Sequence, residues 1–153
     1  MAVNLLAIAD AIATRLGAVT VPIGEPAIVG ATARLPNGIP DTPYILVLPP
    51  SGELGMPEGF PSSRIRDTHD FEIYLLLNKA SGDLPTDLAR VYAWWAVIRD
   101  ALMGQMKLGV STVMKAAITD DYEFDSFDYE GQGYHAWRFT VRVWTEVTVT
   151  VAI

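Results

Sequence analysis

Apolar and polar positions recur along this chain with two periods, and the periods divide it into elements. Near the start, Leu5, Ile8, Ile12 and Leu16, with Ala9 and Ala13, follow one another at steps of three and four, while Asp10, Thr14 and Arg15 fall elsewhere. That spacing predicts an amphipathic helix. Asn4 is placed to cap its N-terminus, and Gly17 stands where a left-handed C-terminal residue is wanted. Residues 18–40 hold Pro22, Pro26, Pro36, Pro40 and the turn pair Asn37-Gly38. Only short strands fit there, such as 27–34, at a sheet edge or on the surface. Residues 44–48 form a continuous apolar strand, and in 70–77 Phe71, Ile73, Leu75 and Leu77 alternate onto one face.

A second helix follows Ser81-Gly82-Asp83, capped by Asp83 or Thr86, with Pro85 tolerated in its first turn. Leu88, Val91, Trp95, Ile98 and Leu102 form its buried stripe, and Arg90 and Arg99 point away. Trp94, Val97 and Ala101 widen that stripe until the helix needs cover on two sides, from this chain or from another copy. The helix should end around residues 104–109. Residues 113–124 read as a strand of mixed alternation and 125–133 as a turn rich in acid and glycine. From His135 onward the odd positions Trp137, Phe139, Val141, Val143, Val147, Val149 and Val151 are apolar, while Arg138, Thr140, Arg142, Glu146, Thr148 and Thr150 alternate with them. This is one strand, or two with a bend near Thr145, and it far exceeds the usual five or six residues. Adjacent strands in chain order imply an α+β domain: a largely antiparallel β-sheet packed by two α-helices, with a long loop and an extended C-terminal strand.

Residues 49–63 contain four Pro and three Gly, which bars a helix or a central strand. This is either the mobile tip of a hairpin or a loop that orders against a partner. Leu54, Met56 and Phe60 favour the partner, because solvent-exposed tips seldom carry three large apolar side chains. The end of the final strand, residues 145–153, has a similar pair of readings. It is paired within its own sheet, or it augments the sheet of a neighbouring subunit, since a long apolar edge left open is an aggregation template. The candidate contacts for another subunit or partner are therefore Leu54, Met56, Phe60, Trp94, Val147, Val149 and Val151.

Composition narrows the function. The 153 residues fit one domain, residues 1–153. They are 50% hydrophobic with a formal charge of −7, a pI near 4.6 and a mean hydropathy of +0.24. Such a charge disfavours binding to nucleic acid phosphate or an anionic membrane. The apolar runs are too short for a bilayer span, and the opening residues lack the basic region of a secretory signal. With no cysteine, disulfides, thiol nucleophiles and thiolate metal sites are excluded together.

No constellation announces catalysis. His69 and His135 each begin a strand; a base or metal pair would need those strands adjacent, with Asp67 or Asp70 as a further ligand. The acid run from Asp120 to Glu130 fails the EF-hand pattern, because counting from Asp121 places Ser126 at the sixth position and Gln132 at the twelfth. It reads as a solvated turn interleaved with packing aromatics, or as an acidic surface that repels a duplex. Gly52, Gly55 and Gly59 precede no helix and no Lys-Ser or Lys-Thr, so they form no phosphate cradle. Arg64 and Arg66 are the nearest approach to a basic patch.

The layout as a whole resembles the tail terminator (tail-completion) proteins of long-tailed bacteriophages. The likeness rests on the opening helix, the proline-rich stretch and the strand at 44–48. It continues through Asp70-Phe71-Glu72-Ile73-Tyr74-Leu75-Leu76-Leu77, the Ser-Gly-Asp turn with the helix at 84–106, and the closing hairpin from Tyr129 to Val141. The resemblance implies a virion structural protein rather than an enzyme, without cofactors or bound metal. It implies a homo-oligomeric ring, a hexamer, at the head-proximal end of the tail tube, assembled in the host cytoplasm. There it stops tube polymerisation and joins the tail to the head. Its partners would be further copies of itself, the tail tube protein and a head-closure or neck connector protein, and DNA would pass through the lumen without specific binding. Within the class, a head-closure (stopper) or tube protein is the alternative. Outside it, a small-ligand-binding α+β domain or a minor enzyme remains.

Overall fold

The computed structural model describes residues 3–54, 62–103 and 108–150, with the side chains of 62, 63, 120, 121, 149 and 150 left aside. Eight elements follow one another: α1 (Leu5–Gly17), β1 (Gly30–Thr32), β2 (Tyr44–Val47), β3 (Ser51–Glu53), β4 (Ser62–Lys79), α2 (Leu84–Met103), β5 (Val113–Tyr129) and β6 (Gln132–Thr150). The strands form one six-stranded sheet in the order β1-β2-β4-β6-β5, with β3 also on β4. Every pairing is antiparallel except β1 with β2. The α+β architecture read from the sequence is the one observed.

Helix α1 forms as its pattern requires. The Asn4 side chain accepts from the Ala7 N–H at 3.0 Å, and Ile8, Ile12 and Leu16 are fully buried. Gly17 has a different role from the one expected. The helix ends through Ala18 at φ −96, with no left-handed residue. A Cβ on Gly17 would lie 3.0 Å from the Ala31 Cβ, so the glycine admits β1 against the helix end.

Helix α2 is rotated from its expected setting. Its buried positions are Asp87, Trp94, Ile98 and Leu102, whereas Leu88 is 40% exposed. Arg90 turns inward instead of away. The cause is polar: Asp87 and Arg90 find buried partners on other elements, described below, and they carry the helix face round with them.

Residues 49–63 are not one long loop. Pro49 and Pro50 interrupt the edge of β4 between β2 and β3, after which Ser51, Gly52 and Glu53 pair with Asp70, His69 and Thr68. The turn expected over 125–133 shrinks to Glu130-Gly131, at φ 51 and 78, between Tyr129 and Gln132, which face each other across the hairpin. The final strand is single and unbroken, and it lies inside the sheet between β4 and β5.

Both helices pack on one face of the sheet over Phe71, Ile73, Leu75, Trp137, Phe139, Val141 and Val143, the main core. A smaller cluster of Tyr44, Leu46, Leu76, Tyr134 and Ala136 occupies the opposite face at one end. There Tyr74 stacks on Phe127 with ring centroids 4.2 Å apart, and the Tyr129 hydroxyl donates to the Pro36 carbonyl.

Candidate assembly surfaces

Strands β4 and β6 stay paired from Lys79↔Tyr134 to Ser62↔Thr150. On one flank β3 reaches as far as Thr68; on the other β5 reaches Thr145, and the Glu146 N–H donates to the Thr112 carbonyl at 2.9 Å. Among the described residues, 62–65 and 147–150 therefore continue as an arm two strands wide. At about 3.3 Å per residue, four residues extend about 13 Å.

The two faces of the arm continue the two faces of the sheet. On the helix side, the rungs Phe71↔Val141 and His69↔Val143 lead to Asp67↔Thr145 and then Ile65↔Val147. Phe71, Val141 and Val143 are core residues, while Ile65 and Val147 are half-buried and belong to neither apolar cluster of the described residues. On the open side Arg64 is exposed, and Arg66 pairs with Glu146 at 2.7 Å. Further along that face run Arg142 with Asp70 at 2.8 Å and Arg138 with Glu123 at 2.6 Å. The hydrogen bond that Arg142 donates to Asp70 raises the Arg142 pKa, so the guanidinium stays charged at any physiological pH.

The body meets the arm at a buried polar contact. His69 Nε2 lies 3.1 Å from the Thr145 hydroxyl, and both side chains are buried. Desolvation lowers the His69 pKa more than Asp67 and Asp70 raise it, so the imidazole is neutral at pH 7. His135 lies elsewhere, its Nδ1 2.7 Å from an Asp87 oxygen. Eight residues of β6 separate His135 from Val143, the residue facing His69, which is about 26 Å along the strand. The two histidines therefore form no pair. Among the described residues no group of three or more metal-ligating side chains converges.

The His135–Asp87 contact opens a buried chain. Asp87 also faces Arg90 at 3.4 Å; Arg90 donates to Glu25 at 2.7 Å and to the Leu77 carbonyl at 2.8 Å; and Trp94 Nε1 donates to the same Glu25 oxygen at 2.5 Å. The network ties α2 to the sheet and to the proline-rich segment. It also corrects the reading of Trp94 as a subunit contact: the side chain is fully buried in its own chain, with its one polar atom satisfied there. Tyr92, 84% exposed, is the large side chain that this helix presents most fully to solvent, with Met103 at 60%.

The other predicted contacts fall at or near the arm. Leu54, 85% exposed, directly follows β3, and Val147 lies on the arm's apolar face. Val149 pairs with Ser63 in backbone register. Met56, Phe60 and Val151 lie outside the described residues. The expectation that the final strand serves a neighbour is thus corrected on one flank, where β4 takes it, while past Glu146 its other flank extends beyond the end of β5.

Strand β5 is the terminal strand on that side of the sheet. Its second half, with the following turn, carries Asp120, Asp121, Glu123, Asp125, Asp128 and Glu130 without a Lys or Arg. On its helix side Trp95 stacks on Tyr122 at 4.5 Å and meets Trp137 edge-on at 4.9 Å. Beside them a groove of about 290 Å³ is lined by Arg99, Met103, Ile118 and Tyr122, among others. Sequence reasoning took this acid run for a turn and missed the groove, because Tyr122 and Trp95 meet only once β5 is placed beside α2. Compared with protein-family models and with curated proteins, the chain matches none. Among the described residues no helix is long and apolar enough to cross a membrane.

Proposed function

We propose that the chain is a structural protein of the phage virion, forming a ring at the head-proximal end of the tail tube that ends tube growth and joins the tail to the head. The observation that carries this reading is the arm. A two-stranded ribbon with an apolar face is marginal in water on its own and is stabilised by packing on further protein. Leu54 and Val147, read from the sequence as contacts, lie beside it or on it. A ring requires a contact between two different surfaces of each copy that closes by rotation, and an arm at one site with an open sheet edge at another meets that requirement. The net charge of −7 suits a lumen through which DNA slides without adhering. The head-closure and tube proteins, which also build rings, are the nearest competitors.

Electron microscopy of purified tail tubes incubated with the chain tests the assignment. A ring capping only one end of each tube is the expected result. Decoration along the tube, or a strictly monomeric chain that leaves both ends bare, would sink it.

A further inference from the structure

We propose that the arm of one copy, residues 62–65 with 147–150, lies along the outer edge of β5 of a second copy, so that the sheet runs on from subunit to subunit. The inference deepens the ring assignment above and rests on it. Its basis is that both faces of the arm match the two sides of that edge.

On the helix side, the apolar row of the arm includes Ile65 and Val147, half-exposed and outside the core. On the same side of β5 lies the groove at Tyr122, which is 49% exposed, beside Trp95 and Ile118. On the open side the arm carries Arg64, exposed and directly opposite Thr148 in register. On the open side of β5 stand Glu123 and Asp125, opposite Arg138 and Ala136. A strand added in the plane of the sheet has its side chains alternating to the two faces. One orientation of the arm therefore seats Ile65 and Val147 over the Tyr122 groove and at the same time brings Arg64 to the acids. Main-chain hydrogen bonds along the edge would supply affinity, and the paired faces would fix orientation and register.

A copy cannot satisfy its own edge in this way. Tyr122 faces Phe139, and Phe139 faces Ile73, which is eight residues from Ile65 along β4. At about 3.3 Å per residue the arm is about 26 Å from the groove. The contact is consequently between copies and joins two different surfaces, the kind that closes into a ring.

The test uses the full chain, with self-association followed by sedimentation velocity and ring capping by microscopy. Arg64→Glu is expected to weaken self-association about tenfold or more, Asp125→Arg likewise, and the double variant to recover most of the loss. Because the chain has no cysteine, a second measurement is independent of folding energetics. Copies carrying only Thr148→Cys, mixed with copies carrying only Glu123→Cys, should be joined into heterodimers by a short bismaleimide. Wild-type association in both single variants would overturn the proposal, as would two weakened variants with no recovery in the double, or the absence of a mixed cross-link. If rings still cap tubes while the cross-link fails, the arm contact falls and the ring assignment stands. If the arm is protected only when tube protein is present, the tube is its partner and the contact between copies is wrong.

Discussion

Two rungs on the same face of the same two strands show how differently the body and the arm are held. Phe71↔Val141 is fully buried under the helices, and six residues further along β4, Ile65↔Val147 is half-exposed. The residue types are alike and so is the pairing. What differs is cover: the helices extend over one rung and not over the other. Identical strand chemistry thus has two outcomes: a closed core where α1 and α2 lie over it, and a half-exposed apolar row where they do not.

The largest effect should separate these two roles. Phe71→Ala is expected to cost about 3–5 kcal/mol of folding stability, read by urea denaturation. Val147→Ala should cost a small fraction of that while weakening self-association. Equal losses of folding stability from the two would erase the distinction. Next in size is Asp87→Ala, which leaves Arg90 and the buried His135 each with a partner missing; about 3 kcal/mol is expected. The loss should fall on the body alone, with the cross-link through Thr148→Cys still forming in whatever fraction remains folded.

His69 marks the boundary between the two regions and gives a smaller, pH-dependent effect. Its folded pKa lies below the ordinary 6.5, so between those two values the unfolded chain binds a proton that the folded chain does not. Stability is then complete above about pH 6.5 and falls as pH drops through the window. His69→Gln should reduce the difference in urea midpoint between about pH 7.5 and about pH 5.5; an unchanged difference would show that the imidazole is not held neutral by burial. The smallest effect is expected from Arg142→Ala. Its partner Asp70 is solvent-accessible, and an exposed ion pair contributes little. The urea midpoint should barely move, and a large shift would mean that the open face is covered in solution.

Much of the body was legible in the sequence, since Ile8, Ile12 and Leu16, and Phe71, Ile73 and Leu75, obey a single period and bury accordingly. Strand β5 was harder to read. An irregularity in register between Val113 and Lys115 puts Val113 and then Ala116 on the helix side, which breaks the odd-even alternation. The inward turn of Asp87 and Arg90 was not legible at all. A buried charge is decided by its partners, and these are His135 and Glu25, 48 and 65 residues away in sequence. The candidate surface was half legible: the sequence singled out Leu54 and Val147 as apolar excess, but the place of Val147 one rung from Arg64 is a matter of register. Trp94 was misread because its indole nitrogen had a hidden acceptor.

The place of β6 has a consequence for the order in which the molecule can be made. It is the last strand of the sheet in chain order, yet it lies between β4 and β5. Until it is synthesised, β4 waits with one long flank open and β5 has nothing to pair with. Closing the sheet requires contacts between segments about 70 residues apart, a topology that folds slowly. The same strand also completes the arm. A chain that stops short of β6 therefore has neither a finished body nor an arm.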